Sequence, residues 1–259
     1  MDCKLSVKDG QGLTSCLSVR LHNACRYFEK YLKWPCAIDS TLQFQQYQID
    51  NPIADRLLMY QPEKMQGNIS NGFDHGWQMA WFSELDIKGT SNLAWKICEP
   101  SKEVGIRAIH FLSKIQDRTG ILYRGNDKAK EMPVASYEDM VQMAYFTGSN
   151  KFFLQTDENE FVEYFMQYFP DTVVLNEIPR INKNPRSYVN PPIHERVEFA
   201  INFNAVLIAL AMLPKVCLTN GNTSLWVALY RGHLQGVYQL HTLHNSEIRN
   251  LETNEILIN

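Results

Sequence analysis

The sequence predicts an α/β chain built on a parallel sheet, and three observations carry that expectation. Over the C-terminal half, apolar runs of strand length alternate with helical periodicities, which is the order a parallel sheet with crossover helices requires. Near the N-terminus, the strand-like Lys4-Leu5-Ser6-Val7 passes through Asp9-Gly10-Gln11-Gly12 into a helix with Leu13, Leu17, Leu21 and Cys25 at every fourth position. Gly120 to Lys128 reads as an apolar strand that ends in a polar cluster around Arg124, and nucleotides favour the carboxyl ends of such strands.

The N-terminal strand, Gly10-x-Gly12 and helix have the shape that aims backbone N–H groups and a helix N-terminus at an anion, although the six-position dinucleotide fingerprint is incomplete and a plain tight turn fits as well. Residues 34–100 are less regular, with turns at Trp34-Pro35, Asn51-Pro52, Gln61-Pro62 and Asn71-Gly72. Trp77 and Trp81, four apart, fit one buried helix face better than a sugar-stacking platform. A helix starts at the N-cap Ser101 with Val104, Ala108, Leu112 and Ile115 on one face and breaks at Asp117 to Gly120, where the arginine strand begins. Beyond it come a helix over 137–145, a strand over 151–154 closing on Thr156-Asp157, a helix through Phe165, a strand over 172–175, and a strand from Val216 into Asn220-Gly221-Asn222-Thr223-Ser224.

With 259 residues, 45% apolar and 12% aromatic, the chain can bury a full core. A net charge of −3 carries no basic excess, which argues against a general nucleic-acid or anionic-membrane binder. The longest apolar run, Ala205 to Pro214, is well short of the roughly 20 residues that span a bilayer, so no membrane insertion is expected, and the N-terminus shows no leader. Six cysteines at positions 3, 16, 25, 36, 98 and 217 show no paired spacing, so neither a disulfide framework nor a zinc site is expected and a reducing cytoplasm is the simplest location. His194-Glu195-Arg196-Val197-Glu198 lacks the second histidine of a zinc-protease helix, and His241/His244 reads as a solvated surface pair.

In the arginine cluster, Gly125 allows a sharp turn and Asp127 can fix the guanidinium so that it meets a phosphate in two places. The alternative is a strand end with a surface salt bridge, worth roughly 0–1 kcal/mol.

From Ile121 to Glu138 the chain resembles the first conserved motif of the fucosyltransferase superfamily, of the α1,6- and protein O-fucosyltransferase type, in which a strand ends in Arg-Arg-x-Asp-Lys; the matching residues are Arg124, Asp127 and Lys128. Thr156-Asp157 after its strand and the run Val216 to Ser224 resemble later motifs of the same families. The resemblance covers roughly the C-terminal half, with looser support at the N-terminus. It implies a GT-B-like fold of two Rossmann-like domains, with an acceptor-side domain over 1–100 and a nucleotide-sugar-binding domain over 101–259. Gly10 and Gly12 would border the donor sugar. Arg124 and Lys128 would hold the donor diphosphate together with Asp157 and the turn Asn220, Gly221, Asn222, Thr223 and Ser224.

The activity so implied is an inverting, metal-independent transfer of a sugar from a nucleotide diphosphate to a glycan hydroxyl, consistent with the lack of an Asp-x-Asp motif. Charge growing on the leaving diphosphate would fall to Arg124 and helix dipoles. Glu131 is the nearest candidate for the base that takes the acceptor proton, with Asp127 and Glu138 as competitors. The chain departs from the α1,6 type at the base: Leu122 stands where that type has a guanine-binding histidine, and only Asn204 and Glu198 could replace its aspartate. Gly125 stands in place of the second arginine. GDP-fucose is the implied donor, while UDP-xylose or GDP-rhamnose fits the residues equally. A non-catalytic glycan- or nucleotide-binding protein is the rival from another class.

Overall fold

The computed structural model describes residues 3–8, 12–47, 53–184, 191–243 and 246–258, without the side chains of Asp127 and Ile193. The chain opens with β1 (Lys4–Ser6), α1 (Leu13–Tyr31) and β2 (Ala37–Asp39), and β1 pairs with β2 in parallel to make one βαβ unit. The expected strand and helix are therefore both present. Cys3 and Cys36 flank the paired strands and are joined by a disulfide across 33 residues, against the expectation of unpaired cysteines; strand pairing, which cysteine spacing does not reveal, brings them together. Cys16, Cys25, Cys98 and Cys217 are free and buried.

The next stretch holds α2 (Ala54–Leu57), β3 (Leu58–Met59), several 3-10 turns, α3 (Ile87–Ile97) and β4 (Glu99–Pro100), with β3 and β4 antiparallel. Trp77 lies in the 3-10 turn His75–Met79 and Trp81 follows it, so the two do not share the expected α-helical face. Asp74 is the reason for a tight turn: its side chain caps Gly76 N–H at 2.6 Å. Trp81 is buried all the same, against His241 and under the guanidinium of Arg249.

α4 (Lys102–Ile115) starts as expected, with the Ser101 hydroxyl accepting from Val104 N–H. It leads into β5 (Thr119–Leu122), α5 (Tyr137–Phe146), β6 (Phe152–Gln155), α6 (Asn159–Tyr168), α7 (Arg196–Ala211), β7 (Val216–Thr219), α8 (Asn222–Arg231), β8 (Val237–His241), β9 (Glu247–Asn250) and β10 (Glu255–Ile258). One six-stranded sheet results, in the order β10-β9-β8-β7-β5-β6, parallel from β6 to β8 and antiparallel over β9 and β10. The expected strand over 172–175 reduces to a single bridge between Phe153 and Val173, because Thr172 turns its hydroxyl back to the Phe169 carbonyl and the chain leaves the sheet edge. His241 is fully buried on β8 against the Met79 carbonyl, not solvated as expected.

Strand residues alternate between two cores. Leu122, Phe153, Val216 and Leu218 face α4, α7 and α8, while Ile121, Leu154, Cys217 and Leu240 face α5 and α6. Gly120 lets α7 pack close to β5, since a Cβ there would stand 2.6 Å from Leu210 Cδ2. The first of these cores continues without interruption into α1 and α3.

The strand order fixes where a ligand can enter. From β5 the chain crosses to β6 on one side and then, through α7, to β7 on the other, so β5 and β7 diverge at their carboxyl ends. That divergence is the topological switch point at which open parallel sheets hold ligands.

Candidate active site

A cleft of about 810 Å³ opens at this switch point, a volume suited to a ligand of nucleotide-sugar size. Arg124 and Lys128 reach it from the carboxyl end of β5, Asp157 from β6, and Asn220 to Ser224 from β7 and the start of α8. Gly12 closes it from the N-terminal side. Glu131 lines it as well. Gly10 and the side chain of Asp127 lie outside the described residues.

Two helices begin at the cleft. Gly12 caps α1 at φ +152° and Gly221 caps α8 at φ +134°, backbone conformations that L side chains rarely adopt, and neither helix has a side-chain cap or an acidic residue in its first turn. Their first turns share the pattern Gly-x-Thr-Ser, and Thr14 and Thr223 touch through their hydroxyls at 3.3 Å. Partial positive charge from both helix ends therefore falls in one cleft. The Gly221 N–H itself is taken by the Gln78 carbonyl at 2.8 Å.

The loop after β5 is held by carboxylates from β6. Gly125 N–H donates to Asp157 Oδ1 at 3.0 Å and Asn126 N–H donates to Glu158 Oε1 at 2.7 Å, while Tyr137 O–H donates to Glu158 Oε2 at 2.5 Å. Glu158 is wholly buried. A Cβ on residue 125 would lie 2.0 Å from Glu158 Oε1, so any side chain there would have to displace this buried, hydrogen-bonded carboxylate. That accounts for glycine where the fucosyltransferase pattern has its second arginine.

Burial raises the pKa of Asp157, opposed mainly by the charge of Arg124. Asp157 is thus a carboxylate whose charge acts on the Arg124 guanidinium, while the same part expected of Asp127 falls on a side chain outside the described residues. Lys128 Nζ pairs with Glu131 Oε2 at 2.5 Å, its side chain largely covered and that of Glu131 exposed. The Lys128 stem crosses to α8, where its Cε is 3.8 Å from the position of a Cβ on Gly221. Asn220 Oδ1 accepts from Thr242 N–H and its hydroxyl, which ties the strand end to β8.

Several residues of the cleft were not found from the sequence. His75 enters from the 3-10 turn, and Phe199 and Phe203 line the cleft from α7 as a stacked pair with centroids 5.7 Å apart, with Arg196 and Tyr47 also in the lining. The four-residue spacing of the two phenylalanines was the available signal. Asn204 and Glu198, the sequence-level substitutes for a base-binding aspartate, do not line the cleft: Asn204 is buried against Tyr230, and Glu198 pairs with Arg107. Among the described residues no group of three or more His, Cys, Asp or Glu side chains is placed to hold a metal ion.

No protein-family model matches the chain. No curated protein matches it either. Solved structures do. The fucosyltransferase NodZ from Bradyrhizobium is 12% identical with a TM-score of 0.56 over 92% of this chain and 96% of that one. NodZ α1,6-fucosyltransferase co-crystallised with GDP is 12% identical with a TM-score of 0.55 over 92% and 94%, and the form soaked with GDP-fucose is 11% identical at the same TM-score and coverage. Likeness at this identity shows the fold, and the chain folds as the fucosyltransferase-like NodZ structures do.

Proposed function

We propose that this protein is a glycosyltransferase that moves a sugar, fucose being favoured, from a nucleotide diphosphate donor to a glycan hydroxyl with inversion and without a metal. The observation that carries the reading is the convergence of Arg124, Lys128 and the glycine-capped starts of α1 and α8 on one cleft, in the fold of an enzyme crystallised with GDP and GDP-fucose. Breaking the bond from sugar to diphosphate places negative charge on the leaving group, and prearranged cations and helix ends stabilise it. Arg124 takes the phosphate nearest the sugar, Lys128 and the Asn220 to Ser224 turn take the rest, and Asp157 orients Arg124. Glu131 holds Lys128 in place. GDP-fucose leads among donors, with UDP-xylose and GDP-rhamnose as the other candidates.

We assign residues 1–100 to the acceptor side and 101–259 to nucleotide binding, as two Rossmann-like units of unequal completeness. Among the described residues no helix is long and apolar enough to cross a membrane. A cytoplasmic location would hold Cys3 and Cys36 reduced, whereas the bonded pair favours an oxidising compartment.

Nucleotide release from GDP-fucose, UDP-xylose and GDP-rhamnose, followed with and without a pool of oligosaccharides, tests the reading. Release from one donor, accelerated by an oligosaccharide, is expected. Binding without any release would favour the non-catalytic alternative.

A further inference from the structure

A directed chain of hydrogen bonds fixes the imidazole of His75 in the cleft. Trp226 Nε1–H, which can only donate, bonds Ser18 Oγ at 2.9 Å. Ser18 therefore spends its own proton on Asn222 Oδ1, also at 2.9 Å, and this sets which end of the Asn222 amide faces His75. The NH₂ end does, with Nδ2 at 3.5 Å from His75 Nε2. His75 Nε2 is thus an acceptor, and the neutral ring carries its proton on Nδ1. The contact is long, so a hydroxyl arriving in the cleft can take the Nε2 lone pair from Asn222.

We propose that His75 is the group that takes the proton of the attacking hydroxyl, a role that rests on the transferase reading above. The hydroxyl proton passes to His75 Nε2 as the oxygen lone pair forms the bond to the sugar carbon, and the pair of the breaking bond leaves with the diphosphate oxygen. His75 stands beside Asn222, the first residue of α8, where the diphosphate is assigned. Of the other base candidates, Glu131 is committed to Lys128 at 2.5 Å, Glu138 accepts from the Tyr164 hydroxyl at 3.1 Å and does not line the cleft, and the Asp127 side chain lies outside the described residues.

The titratable groups around His75 are Asp74 on its own turn, His22 on α1 and Lys128 across the cleft, while α8 presents the uncharged Asn222. Burial lowers the His75 pKa, Asp74 opposes this, and His22 and Lys128 add to it. The ring is therefore neutral and able to accept at physiological pH. Negative charge appearing on the departing diphosphate offsets Lys128 and favours the imidazolium as the proton arrives.

The test combines nitrogen-15 NMR of the histidine rings with turnover of GDP-fucose, water serving as acceptor. Expected are an unprotonated Nε2 at neutral pH, a His75 pKa below the ordinary value of about 6.5 that rises when GDP is added, and a rate that falls on the acid side of that pKa. His75→Gln keeps a carbonyl acceptor for Asn222 and should bind GDP unchanged while turning over roughly 100-fold slower, without the acid limb. A proton on Nε2 at neutral pH, or His75→Gln with wild-type rate and pH profile while GDP still binds, would overturn the role of His75 alone. Failure of GDP and of the other donors' nucleotides to bind would overturn the transferase reading and this role with it.

Discussion

Removing the Glu158 carboxylate should loosen the cleft from beneath. Glu158→Ala deletes an acceptor with 0% exposure that holds Asn126 N–H at 2.7 Å and Tyr137 O–H at 2.5 Å. Hydrogen bonds to a charged group contribute roughly 1.5–3 kcal/mol each, and the enclosed Asn126 N–H would be left without an acceptor. Burying the carboxylate is itself unfavourable, so the net loss should be about 2–4 kcal/mol rather than the full sum. At roughly 2–4 °C per kcal/mol for a chain of this size, the Tm should fall by roughly 5–15 °C. Glu158→Gln separates charge from shape. Its amide oxygen keeps the Asn126 bond, its NH₂ turns the Tyr137 hydroxyl from donor to acceptor, and the loss should stay below about 1.5 kcal/mol. Thermal and urea unfolding measure these differences, and a GDP titration of the folded variants reads the position of Arg124. A Glu158→Ala protein as stable as wild type, or one that binds GDP equally well, would refute the reasoning.

Other expectations follow from the same geometry. Gly221→Ala places an L side chain at φ +134°, which should cost about 1–3 kcal/mol and weaken nucleotide binding by disturbing the start of α8; unchanged unfolding and unchanged GDP affinity would contradict it. Cys3→Ser opens a covalent loop closed across 33 residues and should lower stability in urea by about 3.7 kcal/mol under oxidising conditions and not at all in reductant. Asp157 has a raised pKa in the folded state, so on acidification the folded protein takes up this proton before the unfolded chain does. Its contribution to stability therefore grows as pH falls through that raised pKa towards the ordinary value of 3.8. Asp157→Asn, which keeps an acceptor for Gly125 N–H, should flatten that part of the profile measured by urea unfolding.

The legible parts of this fold were those with local signatures. Ser101 before a 3.6-residue periodicity marked α4, and Val216 into Asn220 to Ser224 marked β7 and α8, because caps, turns and apolar periods are written in neighbouring residues. Most of the cleft was legible for the same reason: Arg124, Lys128, Asp157 and Gly221 sit at strand ends, and a parallel sheet brings strand ends together. Pairings made by distant segments were not. The Cys3–Cys36 bond depends on β1 meeting β2, the Glu158 carboxylate matters because Gly125 lies above it, and His75 gains its place from an irregular turn whose spacing matched no motif. Trp81 was read as buried, which it is, but on a helix face shared with Trp77, which it is not, and His241 was read as solvated; the two rings are in contact in the core.

The most direct test of the central claim is calorimetric titration of the protein with GDP and UDP, with Arg124→Ala as the control. Binding of GDP that is lost or weakened at least tenfold in Arg124→Ala, a change of about 1.4 kcal/mol or more, is the predicted result. Absence of binding by either nucleotide, or equal binding by the variant, would contradict a diphosphate site at the carboxyl ends of β5 and β7.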